Sequence, residues 1–109
     1  MEQEQIEELN VIQAKLSQFF THINTIINDR NYVSGNIDSV LEEQEGLLKS
    51  IKKFRKEQIK RIKAEKVGTR NSVLFLGVLN ETKNLVLYAG NLLKSARDFA
   101  TSNEDEDLD

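Results

Sequence analysis

Residues 48–70 read LKSIKKFRKEQIKRIKAEKVGTR. Ile51, Phe54, Gln58 and Ile62 return every three or four positions, with Ile59 beside Gln58, so the stretch presents one helical stripe flanked by charge. The stripe stops at Val67-Gly68-Thr69. Glycine suits the left-handed position after a helix, and threonine suits the cap of a new one, so the triplet predicts a helix end, a short turn and a helix start. A long helix broken once and resumed at once is the reading that decides the fold.

Upstream, the stripe extends back through Leu47 or Leu48, Gln44, Val40 or Leu41, and Ile37. This second helix is expected over about 37–66, with Asn36 or Asp38 near its cap and Gly46 a mid-helix cost of about 1 kcal/mol. Before it, Tyr32 to Asn36 has turn chemistry centred on Gly35. The first helix, about 2–28, carries Ile6, Leu9, Ile12, Leu16, Phe19 or Phe20, Ile23 and Ile27 at helical spacing. Its first turns hold Glu2, Glu4, Glu7 and Glu8, where the helix dipole favours acids.

Downstream, the third helix is expected over about 70–101. Phe75, Val78, Leu79, Thr82, Leu85, Val86, Ala89, Leu92, Leu93, Ala96, Phe99 and Ala100 fall on one broad face of it. Leu76 and Leu87 fall outside that face, on a flank shared with Lys83 and Lys94, which marks them as contacts for a partner helix. Residues 102–109 hold five acids and are expected to be a disordered tail. Three long helices joined by short turns predict an all-α, antiparallel up-down-up three-helix bundle, a single domain over 1–101. The chain has no proline, which suits uninterrupted helices.

Charge is segregated along the chain. Residues 49–70 carry a formal +8, those before carry −7 and those after −4, for a net −3. Lys49, Lys53, Lys56, Lys60 and Lys63 share one flank, an anion or head-group strip if that flank faces outward and a set of internal ion pairs if it faces the acidic helices. Nucleic acid is disfavoured as a partner, because the chain is acidic overall and the lysine flank itself carries no aromatic.

Other constellations are plain. The chain has no Cys, so neither disulfides nor thiolate metal sites are available, which fits a reducing compartment. His22 is the only histidine and has no metal-spaced companion. The acids at Glu7-Glu8 and at Glu42, Glu43 and Glu45 read as solvated helix faces. No glycine-rich phosphate loop occurs, and no enzymatic activity, metal or cofactor is expected. The acidic start is unlike a targeting peptide, and the longest apolar run, Val73 to Leu79 around Gly77, is too short for a bilayer.

From Leu48 to Phe99 the sequence resembles the C-terminal cytoplasmic helical region of bacterial inorganic phosphate transporters, which is similar in plan to PhoU three-helix repeats. The likeness lies in the Lys-rich helix ending just before a short turn. It lies also in the helix that follows, with Leu74-Phe75, Val78-Leu79-Asn80-Glu81 and Asn84-Leu85. PhoU-type repeats place acids four apart to hold metal clusters; here Glu81 is followed at that distance by Leu85, so the resemblance transfers no metal ligand. It implies a non-enzymatic accessory or regulatory domain of phosphate transport. Such a domain would be cytoplasmic, at the inner face of the membrane, and would associate through helix faces with itself as a dimer or with a membrane transporter. The contrasting expectation is a freestanding structural or protein-interaction bundle unrelated to phosphate.

Overall fold

The computed structural model describes the backbone of residues 2–108 and the side chains of residues 2–102. It contains α1 (Gln3–Asp29), α2 (Ser34–Lys63) and α3 (Thr69–Leu108), each packed against the other two in an up-down-up bundle. The molecule is a rod of 65 × 17 × 16 Å. At 1.5 Å per residue, α3 alone accounts for about 60 Å of that length. The disorder expected for residues 102–109 falls on a stretch whose side chains, beyond Ser102, lie outside the described residues; the backbone of α3 is helical through Leu108.

The core repeats by sevens. On α1 the buried positions include Gln5, Ile12, Phe19 and Ile26. On α2 they include Ile37, Gln44, Ile51 and Gln58. On α3, Ser72, Leu79, Val86 and Leu93 are buried. A seven-residue recurrence on all three helices is the knobs-into-holes pattern of near-parallel helix packing. Antiparallel α2 brings Gln58 level with Gln5, and the return of α3 brings Ser72 to the same height. One whole layer of the bundle is therefore polar.

That polar layer is fully directed. Gln5 Oε1 accepts the Glu2 backbone N–H at 2.9 Å, and its amide donates to Gln58 Oε1 at 3.1 Å. Gln58 Nε2 donates to Ser72 Oγ at 3.2 Å, and Ser72 Oγ donates to the Gly68 carbonyl at 3.0 Å. Arg61 adds a donor to Gln58 Oε1 at 2.9 Å, one to Glu4 Oε2 at 3.2 Å and one to Glu8 Oε1. Buried polar groups are tolerable only when satisfied, and each amide here finds partners on other helices. Glu8 Oε2 is the exception, buried without a hydrogen-bond partner.

The helix ends depart from the sequence expectations. α2 starts at Ser34 with Val33 as N-cap, so Gly35 lies inside the first turn and neither Asn36 nor Asp38 is the cap. At its other end, Lys66 N–H bonds the Arg61 carbonyl and Glu65 N–H bonds the Ile62 carbonyl, the paired bonds of a Schellman motif. Glu65 takes the left-handed conformation at φ 55°, and no glycine has positive φ, so the role assigned to Gly68 falls to Glu65. α1 closes the same way: Arg30 sits at φ 53°, with Asn31 N–H on the Ile26 carbonyl and Arg30 N–H on that of Ile27. Gly68 instead opens α3, its carbonyl receiving the Ser72 N–H, while Thr69 is already helical.

Candidate functional site: a cationic cleft between α2 and α3

The α2 sequence places an apolar residue inward at every third or fourth position and leaves lysines on the remainder. Lys49, Lys53, Lys56, Lys60 and Lys63 are all exposed. Lys49 pairs with Glu45 at 3.1 Å and Lys60 with Glu57 at 3.6 Å, both within α2 and both with the lysine about three-quarters exposed. Such pairs are screened and weak. Among the described residues, Lys53, Lys56 and Lys63 make no ion pair. The acidic helices do not neutralise the strip: among the described residues, Arg61 is the one basic residue of 49–70 that pairs with α1. The lysine flank faces out.

Lys49, Lys52, Lys53, Lys56 and Lys60, with Glu57, surround a shallow depression of about 290 Å³ on the outer surface of α2. Lys63, the last residue of α2, lies beyond it. Adjoining this depression, a larger cleft of about 640 Å³ runs between α2 and α3. Its floor is Leu48, Ile51, Ile59, Leu76 and Leu79; its rim is Lys52, Arg55, Lys56, Lys83 and Asn80. Lys52 and Lys56 belong to both hollows.

The two groups of residues singled out in the sequence thus meet in part. Leu76 lies on the floor of the cleft whose rim holds Lys56, whereas Leu87 lies three turns along α3, exposed and outside it. Lys52, Arg55 and Lys83 complete the rim. The signal for Lys83 was present in its place on the Leu76 flank; that for Lys52 and Arg55 was hidden, because the strip of five lysines occupies only one side of α2.

An apolar floor under four cations has a defined chemistry. It suits an anion carried on an apolar body, where the floor removes hydrocarbon from water and the rim meets the charge. Among the described residues no cluster of three or more His, Asp or Glu is placed to hold a metal. His22, on the α1–α2 side of the bundle, has its Nδ1 3.0 Å from Glu43 Oε1, a contact within the bundle surface. No helix of the described residues is long and apolar enough to cross a membrane. Comparison with protein-family models, curated proteins and solved structures finds no match for this chain.

Proposed function

We propose that the chain is a non-enzymatic helical accessory module whose α2–α3 face rests on an anionic lipid surface. The observation that carries this reading is the cleft, with its outward cations unneutralised by the acidic helices and its apolar floor open between them. Lysines close to an anionic leaflet contribute about 1 kcal/mol each, and the floor gives an acyl chain or an apolar helix side chain somewhere to go. The resemblance of residues 48–99 to the cytoplasmic helical region of phosphate transporters supplies the setting: the inner face of a membrane, beside a transporter whose activity the module regulates.

Vesicle co-sedimentation tests it. The chain should bind vesicles containing phosphatidylglycerol and leave neutral phosphatidylcholine vesicles unbound. Replacing Lys53, Lys56, Lys60 and Lys63 together by Glu should abolish binding while helicity by circular dichroism is kept. Equal binding to both vesicle types, or to neither, would refute the reading.

A further inference from the structure

The opposite flank of α3 carries a second apolar seam. Leu74, Val78, Leu85, Tyr88, Leu92 and Phe99 are each between 43 % and 69 % exposed. Together with Glu81 and Ser95 they follow one another at steps of four and three without exception. That is the 3.5-residue repeat of a coiled-coil seam, and it has the same period as the buried seam of α3, Ser72 to Leu93. A merely solvated helix face has no reason to keep it over twenty-six residues. On a helical wheel this seam lies about 100° from the buried face, on the side away from Leu76 and the cationic cleft. The adjoining shoulder of α1, turned from its contacts with α2, carries half-buried Leu9, Leu16 and Phe20.

We infer that this face binds a second copy of the chain, with the two α3 helices antiparallel. Two features select that occupant and direction. First, the seam is self-complementary when reversed. With Leu85 opposite the second copy's Tyr88, Leu74 meets Phe99, Val78 meets Ser95 and Glu81 meets Leu92. Its two polar positions then never face each other, whereas a parallel pair would set Glu81 against Glu81. Second, the seam is about 38 Å long. With the α1 shoulder it is about two helices wide, which gives roughly 700–800 Å² per copy, the size of a stable interface. The inference uses a different face from the lipid-binding reading and stands without it.

The chain lacks cysteine, which makes the register directly testable. Sedimentation of the full chain should give a dimer mass that falls to monomer on dilution. The Glu81→Cys/Leu92→Cys variant should cross-link to a covalent dimer on mild oxidation. Leu92→Cys alone should not, because antiparallel pairing sets the two copies of that position roughly 16 Å apart along the axis. Leu85→Glu/Leu92→Glu changes exposed positions only, so it should keep its helicity while weakening the dimer at least ~100-fold. A monomer mass at every concentration, efficient cross-linking by Leu92→Cys alone, or an undiminished dimer in the double glutamate variant would each overturn the inference. Vesicle binding by a monomer would leave the lipid reading intact, so the two fail separately.

Discussion

The side-chain amide of Gln5 donates to the side-chain carbonyl of Gln58 across 3.1 Å, joining two fully buried residues fifty-three positions apart. Gln58 in turn donates to Ser72 on α3, so this contact holds all three helices at one height. Gln58→Leu would keep much of the volume but leave the Gln5 amide and one Arg61 donor without their acceptor. An orphaned buried donor costs about 1–3 kcal/mol. We expect a loss of about 2 kcal/mol in urea denaturation, with an unchanged m-value.

Arg61 carries the electrostatics of the same layer. Its guanidinium reaches Gln58, Glu4 and Glu8 at once, and both Arg61 and Glu8 are nearly buried. Lysine presents a single point charge in place of this fork. Arg61→Lys should therefore destabilise by about 1–2 kcal/mol. Arg61→Ala, which leaves Glu8 buried without its cation, should cost about 3 kcal/mol. Thermal unfolding of the two variants beside the parent measures the difference.

The left-handed residues invite the reverse change. Arg30 and Glu65 occupy a conformation that costs a residue with a Cβ about 1–2 kcal/mol and costs glycine little. Arg30→Gly and Glu65→Gly should each raise stability by about 1 kcal/mol. Gly68→Ala should change it little, since Gly68 has no positive φ and open space where a Cβ would stand. A stabilising Gly68→Ala with neutral effects at Arg30 and Glu65 would contradict the assignment of the turn.

Two helical glycines should respond in opposite ways. A Cβ on Gly90 would stand 2.6 Å from Gln44 Nε2, so Gly90→Leu must displace a buried side chain and overpack the core. A cost of about 2 kcal/mol or more is expected. Gly46 has nothing within 4 Å of such a Cβ, and Gly46→Ala should stabilise α2 by about 1 kcal/mol. Denaturation midpoints read both.

Vesicle binding through the cationic cleft should be strongly dependent on salt. At about 1 M ionic strength the screening length is about 3 Å, and exposed lysines lose most of their attraction. Binding to phosphatidylglycerol vesicles should vanish there, and Leu76→Glu should weaken it at low salt by spoiling the apolar floor. Binding that survives high salt unchanged would assign the contact to apolar burial alone.

How far the sequence carries is plain residue by residue. The three helices and their antiparallel order were legible, because apolar spacing and the Val67-Gly68-Thr69 break report them directly. Gln44 and Gln58 could be placed on the α2 stripe from spacing. Gln5 could not: Ile6 beside it reads as the apolar position, yet Ile6 is 41 % exposed and Gln5 is buried. Only the height match with Gln58 and Ser72, a property of three segments together, explains that exchange. The ends of α2 were missed by about three residues because Schellman closure needs the left-handed conformation and does not require glycine. On α3 the broad apolar face proved to be two seams, since its two neighbours cover only part of that arc. Val78, Leu85, Leu92 and Phe99 are accordingly left exposed. The lysine strip was readable, but its outward direction depended on which α2 residues meet α1.

Layers that recur every seven residues can substitute for one another, so an apolar bundle of this kind could slide by one repeat and still bury oil against oil. It could also wind in the opposite sense with the same stripes inward. The polar layer forbids the slide, since any shift strands Gln5 or Gln58 among aliphatic neighbours. Arg61 forbids the other winding, because its flank of α2 would then turn away from Glu4 and Glu8. At one end of the rod, a handful of side chains thus chooses both the phase and the chirality of the whole fold.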